Sequence, residues 1–473
     1  MLLYIWIAAL VAAVYLYCRQ VYSKFSKHGI KHLKPVLLMG NMSPIIFRTQ
    51  HFIDLIGELY NKFPEERFVG NFEFIRPTVC LRDIDLIKKI TVKDFEYFLD
   101  HRGFVSPETD PLFGRNLFSL KGQEWKDMRS TLSPAFTSSK MKLMLQFIVE
   151  VDNYIDIEVK DLSTHYSNDV IASSAFGLKV DSYSEPNNEF YKMGHKTTNF
   201  GFAAILKFVG YASFPRLMKL MNIHLFPADV TNFFKHLVLS TMRDREAHNI
   251  LRPDMIHLLM EAKKDWTDED LIAQAVLFFV AGFETVSTAM TFLLYELALN
   301  PEVQEKLAEE VREHEKRSGS KCYCYCNCYF FVISESLRLW PPAIATDRVC
   351  TKDYNLGRPN NTLKKGDGIN VPIVAIHRDP KYFPNPMKFD PERFSEENKQ
   401  EIQPFTYLPF GLGPRNCIGS RFALCEVKVM VYQLVQRYEL MPCERTTIPC
   451  ELAKDNFNLR IKGGHWLRLR PRA

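Results

Sequence analysis

A chain of 473 residues with 47% hydrophobic and 13% aromatic content can bury one large core or two modest ones. Its formal net charge of +5 is too mild for a nucleic-acid-binding protein. No internal repeat stands out, and no Gly/Ser/Pro-rich linker splits the chain.

Met1 to Cys18 carries no charged side chain and is almost wholly apolar. Arg19, Lys24, Lys27, Lys31 and Lys34 come next, with no acidic residue before Asp54. Such a stretch sits at the short end for a membrane span, and its basic flank holds the remainder of the chain on the cytosolic side. A cleaved signal peptide is the alternative, but it wants a charged segment ahead of the apolar one, which is absent here. The expectation is an uncleaved anchor over 1–18, a basic linker over 19–34 and a single globular body over 35–473. Eleven cysteines, an odd number in a cytosol-facing body, read as free thiols rather than disulfides.

Beyond the linker, His51–Phe63 reads as an amphipathic helix, Arg67–Phe74 with Pro77–Leu81 as a hairpin, and Asp83–Ile90 as a short helix. A loop with phenylalanines runs from Phe104 to Phe118. Trp125 and Arg129, four apart, share one helix face and can set an indole N–H and a guanidinium against a carboxylate. Helices then dominate to Leu339, and short strands and turns fill most of the chain up to Pro409. The fold class is mainly α with a small β portion.

The longest element is the apolar stretch Leu271–Leu299. Thr267 and Asp270 make a capping-box-like start, and Asn300-Pro301 supplies the stop. A helix of about thirty residues is expected between them, with Gln274, Glu284, Thr285 and Glu296 among its few strongly polar residues. A membrane span and a helix buried through a large domain fit this pattern equally, and Gly282 favours a local kink. Further on, Glu335 and Arg338 are three apart and can pair on one helix face, which Trp340-Pro341-Pro342 then ends.

The ten residues from Phe410 to Gly419 carry the most information. They read F-x-x-G-x-R-x-C-x-G, a backbone-permissive loop that delivers Cys417 to a fixed point. Gly411, Gly413 and Gly419 can adopt turn conformations that strain other residues, and they leave room for something flat to lie against the loop. The helical run Phe422–Tyr438 comes directly after, so Cys417 sits near a helix N-terminus, where a thiolate is stabilised. A thiolate in a largely apolar pocket is a way of holding a haem iron for oxygen chemistry.

This loop resembles the haem-binding loop of the cytochrome P-450 family, and the resemblance extends over nearly the whole chain through four motifs in order. It implies the fold of that family, preceded by a single N-terminal transmembrane helix. It implies haem b with Cys417 as axial ligand, cradled by Phe410, Gly411 and Gly419. It implies haem propionates met by Trp125, Arg129, Arg348 and Arg415, with Arg102 a weaker candidate. Glu335, Arg338 and Arg393, the last in Pro391–Phe394, become a buried charge network bracing the loop. On the distal helix, Ala281 and Gly282 open a groove for oxygen, and Glu284 and Thr285 relay protons to it.

The implied function is a membrane-anchored haem-thiolate monooxygenase of the endoplasmic reticulum, its catalytic domain on the cytosolic face. One atom of O2 enters an apolar small molecule, a xenobiotic or an endogenous lipid or terpenoid. Electrons come from NADPH through a reductase docking on a basic face that includes Lys121, Lys126, Lys140 and Lys142; cytochrome b5 is a further partner. Trp340–Ala343 and Ala281–Thr288 look like the insect branch that oxidises xenobiotics. Candidate pocket residues are Phe104, Phe113, Phe118, Phe279, Phe283, Ile344 and Phe457. The rival readings are a haem-thiolate isomerase or dehydratase, against which Thr285 argues, and a mis-spliced non-enzymatic isoform.

Three segments depart from the family pattern. Cys322, Cys324, Cys326 and Cys328 alternate where the family has a polar connection. The tract reads as a translated intron or frameshift, an unusual loop, or a soft-metal site. Val149–Leu162 and Met260–Trp266 are shorter connections than the family usually shows.

Overall fold

The computed structural model describes residues 1–103, 105–136, 154–185, 187–198, 206–207, 210–211, 214–252, 254–318, 327–357 and 361–472. The cysteines at 322, 324 and 326 and the segment at 149–153 lie outside these, as do Phe104, Lys140 and Lys142.

Helix α1, Leu2–Lys27, joins the expected anchor and much of the basic linker in one uninterrupted element. Its N-terminal face is bare: Leu2, Leu3, Trp6, Leu10 and Leu16 are all exposed. Only its last turns dock. Phe25 packs on Phe72 with ring centroids 4.8 Å apart, over a strand position where Gly70 leaves room; a Cβ there would lie 2.5 Å from the Phe25 ring. Lys24 pairs with Asp367 at 2.6 Å. A row of large apolar side chains facing solvent is stable only in a non-aqueous environment.

The expected amphipathic segment forms α2, Phe52–Asn61. His51 accepts from the Ile53 N–H and Asp54 reaches back to the His51 N–H, a capping box made with a histidine. The hairpin pairs β1, Phe68–Glu73, with β2, Arg76–Leu81, in antiparallel register from Phe68 opposite Leu81. Next come α3 (Gly122–Leu132), β3 (Ile155–Glu158), α4 (Val159–Ile171), α5 (Glu189–Thr198), α6 (Ala228–His248) and α7 (Met255–Ala262). The long apolar run is α8, Asp268–Leu299, and Thr267 and Asp270 exchange both capping-box hydrogen bonds. Helices α9 (Pro301–Ser318), α10 (Asn327–Leu339) and α11 (Ser420–Arg437) complete the helical set. Strands β4 (Thr346–Val349) and β7 (Gly368–Val371) complete a four-stranded sheet ordered β1-β2-β7-β4, in which β2 and β7 run parallel. The small pair β5–β6 (Tyr354–Asn355, Thr362–Leu363) and the sheet β3-β9-β8 (β8, Tyr438–Met441; β9, Trp466–Pro471) finish the β portion. Most of the helices thus lie between two neighbouring strands of one sheet.

Helix α8 is a core helix and not a span. Of its most apolar window 67% is buried inside the protein, against 6% for that of α1. Its first half, through Phe283, belongs to one hydrophobic cluster with α6 and α7; its second half, from Val286, belongs to another with α10 and α11. The helix continues unbroken through Gly282, where a Cβ would meet Ile171 of α4 at 2.8 Å. Among the described residues, Cys18, Cys80, Cys350, Cys417, Cys425, Cys443 and Cys450 are free thiols.

The chain is braced toward its C-terminus by a buried ion pair. Arg338 is fully buried and forms a bidentate contact with Glu335, Nε to Oε2 at 2.7 Å and Nη2 to Oε1 at 2.8 Å. Arg393 Nε stands 3.4 Å from the same carboxylate, and the Asp390 N–H donates to it at 3.0 Å. Arg338 also donates to the His377 carbonyl, while His377 Nδ1 meets the Arg338 carbonyl and its Nε2 accepts the Leu408 N–H at 2.7 Å. That pattern requires neutral His377, and burial next to Arg338 pulls its pKa down to about 3.

Because the folded pKa lies below the unfolded value, the unfolded chain binds the extra proton. The contribution is whole above about pH 6.5 and is lost as pH falls toward 3, with a slope of about 1.4 kcal/mol per pH unit. Urea unfolding across that range checks this: His377→Gln should remove one proton from the slope, whatever its fixed cost in stability.

Candidate active site

The residues from Phe410 to Gly419 form a loop held by its own backbone. The Gly411 N–H donates to the Leu408 carbonyl at 3.0 Å, Asn416 N–H to Gly413 at 3.0 Å, and Cys417 N–H to Phe410 at 2.8 Å. Two of its glycines use their freedom. Gly411 and Gly413 take φ of +74° and +67°, and a Cβ on Gly413 would lie 2.0 Å from the Thr91 carbonyl oxygen. Gly419 instead has φ −91° and is the N-cap of α11, so its conformation is open to other residues.

Cys417 faces a cavity of 270 Å³ between this loop and the middle of α8. Ala281, Gly282 and Thr285 line the opposite side, with Leu277 and Phe278. Ala281 and Thr285 are exposed within an otherwise largely buried stretch, and what exposes them is this cavity. Thr285 Oγ donates to the Ala281 carbonyl. Burial pushes the Cys417 thiol up, opposed by a backbone hydrogen bond at Gly419 and by the nearby Arg129.

Cations gather on one edge. Arg415 lies over the Trp125 ring at 3.9 Å and donates to the carbonyls of Leu99, Leu117 and Leu120. Arg129 holds the loop through the Asn416 carbonyl and side chain, at 2.9 and 3.0 Å. Arg348 is almost fully buried, donates to the Leu412 carbonyl, and keeps its Nε without a hydrogen-bond partner. Burial, with Arg348 and Arg129 close by and Asp100 opposing, brings Arg415 down to about 9; burial brings Arg348 down to about 10. Such a cluster is short of negative charge. Arg102 is not part of it: Glu73 and Asp347 already pair with its guanidinium.

The pocket residues expected from the sequence scatter. Phe118 lines the cavity, stacked at 4.4 Å on His101, which the sequence reading did not single out. Phe279 and Phe283 do not reach it. They stack on each other at 5.2 Å in the core on another face of α8, and Gly194 of α5 closes on Phe279. Helical spacing explains this, since the cavity takes residues 278, 281, 282 and 285, a different stripe from 279 and 283. Phe113 packs against Phe226, and Ile344 belongs to the core. Phe457 lines a separate, larger cavity of 440 Å³ beside Phe52, Arg102 and Asp347, in which no thiol faces inward except that of Cys80. Glu284, next to Thr285 in sequence, is turned away from the cavity and lies 3.1 Å from Lys160. Lys160 was likewise not anticipated, since a lone lysine at the start of a helix carries no sequence signal.

A loop-borne cysteine facing a small-residue groove on a buried helix, with arginines along one edge, is an arrangement that fits a thiolate-bound haem. The comparisons agree. A family model described as Cytochrome P450 matches residues 31–468. Cytochrome P450 9e2 of Blattella germanica is 46% identical over 524 aligned positions, covering 99% of this chain and 98% of the relative. Probable cytochrome P450 9f2 of Drosophila melanogaster is 44% identical, covering 94% of each chain. Cytochrome P450 6k1 of Blattella germanica is 34% identical, covering 97% and 95%. The chain belongs to the cytochrome P450 family, and with it to the haem-dependent monooxygenases.

Enzymes of this family use haem b, with electrons from NADPH through a reductase. The residues here fit that group. The thiol opens onto the cavity, and the unpartnered Arg348 Nε, with Arg415 and Arg129 close by and Asp100 as the carboxylate paired with Arg415, suits a cofactor that carries two carboxylates. Replacing Gly413 with alanine should cost about 1–3 kcal/mol, because it combines a left-handed backbone with a clash against Thr91. Thermal unfolding of the two proteins, together with haem content per chain, measures this.

Proposed function

We propose that this protein is a membrane-anchored microsomal monooxygenase that oxidises an apolar small molecule, a xenobiotic or an endogenous lipid or terpenoid. The observation that carries the reading is the single cavity shared by the Cys417 thiol and the Ala281–Thr285 segment of α8. Helix α1, apolar and exposed along its first turns, is the anchor of the endoplasmic reticulum membrane, and the basic residues after Cys18 favour a cytosolic body. In this reading residues 1–18 lie in the bilayer, 19–34 cross its surface, and 35–473 form the catalytic domain. A reductase docks on the face carrying Lys121 and Lys126, and cytochrome b5 is a second donor for that face.

Cys417 would ligate the haem iron, and Arg348, Arg415, Arg129 and Trp125 would hold its two carboxylates. When bound, haem supplies the activation of dioxygen. The net change is RH + O2 + NADPH + H+ giving ROH + H2O + NADP+, so protons must reach a cavity that is otherwise largely apolar. Thr285 serves that need. Its hydroxyl donates to the Ala281 carbonyl, which leaves its oxygen lone pairs free to accept from a water or another donor in the cavity. Glu284 is the acid that replenishes the proton. Phe118, Phe278 and Leu277 exclude bulk water and offer an apolar surface to the substrate.

The reduced, carbon-monoxide-bound difference spectrum of the expressed protein tests the class. A red-shifted Soret band that disappears in Cys417→His supports the reading, and a band at the position of imidazole-ligated haem in the parent overturns it. Thr285→Ala should keep the spectrum and lower product formed per NADPH by about tenfold or more, the difference appearing as peroxide or excess water.

A further inference from the structure

The 440 Å³ cavity beside Phe52 and Phe457 shares no lining residue with the thiol cavity. The two adjoin at a hydrogen-bonded pair. His101 lines the thiol cavity, Asp347 lines the other, and His101 Nδ1 meets Asp347 Oδ1 at 3.0 Å. The volume falls within the range of about 300–1,000 Å³ that small-molecule sites occupy. Most of the wall is apolar, with Ile45, Leu55 and Phe74 among its side chains, and its charged groups are Glu73, Arg76, Arg102 and Asp347.

Arg76 opens β2 directly opposite Glu73 of β1. That register sets both side chains on one face of the sheet, where a cation and an anion normally pair. Here they do not. Both Glu73 oxygens accept from the Arg102 guanidinium, and Oε1 also takes Asn370 Nδ2 at 2.7 Å. Asp347 is occupied in the same way: Oδ2 accepts the Arg102 N–H at 2.8 Å and Nε at 3.2 Å, while Oδ1 faces His101. Arg102 therefore takes both carboxylates and Arg76 gets neither. Among the described residues no carboxylate lies within ion-pair distance of Arg76, and its guanidinium meets the Tyr211 carbonyl, Nη2 to O at 3.5 Å. Arg76 is half-buried, and burial, with the Arg102 charge close by, pulls its pKa down against the opposing pull of Glu73. A guanidinium carries five N–H donors, so most of the hydrogen-bonding capacity of Arg76 is unused at the edge of an apolar cavity.

We propose that this second cavity binds an anionic amphiphile, a molecule with one carboxylate on an apolar body, and that Arg76 holds the carboxylate. The guanidinium fork matches a carboxylate in bidentate fashion, and the apolar body covers the Ile45, Leu55 and Phe457 side. The four charges of the wall sum to zero, so an anion meets no net repulsion there. A cation would have to take Glu73 or Asp347 away from Arg102. A neutral alcohol would leave the Arg76 charge unmatched in a place where burial makes that costly. The ligand is a companion of whatever occupies the thiol cavity and not its competitor. The inference stands apart from the monooxygenase reading, because no residue of the thiol cavity enters it.

Equilibrium dialysis tests it on the full-length holoprotein in phosphatidylcholine nanodiscs, with uptake by empty discs subtracted. The probes are radiolabelled dodecanoate, dodecanol and dodecyltrimethylammonium, at mildly alkaline pH so that the acid is ionised. The parent should bind dodecanoate at least about tenfold tighter than dodecanol, and the cationic probe more weakly still. Arg76→Gln should weaken dodecanoate about tenfold or more and leave dodecanol within about twofold. Leu55→Trp, which fills the cavity, should weaken both. Phenylimidazole, which occupies the thiol cavity through the haem iron, should leave dodecanoate binding within about twofold. Equal affinity of the parent for dodecanoate and dodecanol would overturn the proposal. So would an Arg76→Gln variant that binds dodecanoate like the parent, or a Leu55→Trp variant that does. Displacement of dodecanoate by phenylimidazole would overturn it too, since the acid would then lie in the thiol cavity. If Arg76→Gln fails to fold, the parent's ranking of the three probes and the Leu55→Trp variant decide in the same terms. A parent without the spectrum of a thiolate-bound haem would sink the monooxygenase reading alone and leave the probe ranking and the two variants to decide this one.

Discussion

A fully buried guanidinium has to be neutralised and hydrogen-bonded on every side, and the placement of the thiol depends on how Arg338 meets that demand. Its contact with Glu335 leaves carboxylate capacity that Arg393 and the Asp390 N–H take up, so a segment far along the chain is pulled onto α10. The remaining guanidinium edge takes the His377 carbonyl. His377 in turn spends both ring nitrogens on backbone, at Arg338 and at Leu408, two residues before Phe410. From Leu408 the Gly411 turn begins, and Phe410 fixes the Cys417 amide. The thiol is thus positioned by a continuous run of short bonds that starts at one ion pair. The bonds of that run from Glu335 through Arg338 and His377 to Leu408 are buried, so breaking any of them leaves an unsatisfied group with no compensating water.

The other wall of the site arises from a different constraint. Helix α8 bridges two hydrophobic clusters, and on the face toward the cavity, one turn before the second begins, it has small residues, Ala281 and Gly282, where a large apolar one would have filled the space. The edge of the cavity carries three arginines whose hydrogen bonds go mainly to backbone carbonyls and to an asparagine side chain. That arrangement is incomplete as a self-contained protein interior, and it makes sense for a pocket that receives an anionic partner.

How much of this was legible in the sequence depends on whether the information is local. The capping box of α8, the hairpin and the Phe410–Gly419 loop are specified by residues a few positions apart, and each was read at close to its observed boundaries. The ion pair of Glu335 and Arg338 is likewise a matter of helical spacing. What failed was the assignment of side chains to a particular wall. Phe279 and Phe283 are as aromatic and as near Ala281 as Phe278, and only the rotation of α8 against α5 and α6 decides which of them faces the cavity. His101 and Lys160 were missed for a related reason. A single histidine or lysine has no pattern around it, and its role is created by partners brought from distant parts of the chain.

The split between Glu284 and Thr285 shows why adjacency in sequence is a poor guide to adjacency in chemistry. Consecutive residues on a helix project about 100° apart, so an acid and an alcohol side by side cannot both point into one groove without one bending round the helix. Here the protein resolves that conflict in favour of the alcohol and stabilises the acid elsewhere, with a lysine that is itself held by two hydroxyls of the same helix. Desolvation pulls the Lys160 pKa down, and the attraction of Glu284 opposes it, so the lysine sits where burial and a carboxylate pull in opposite directions.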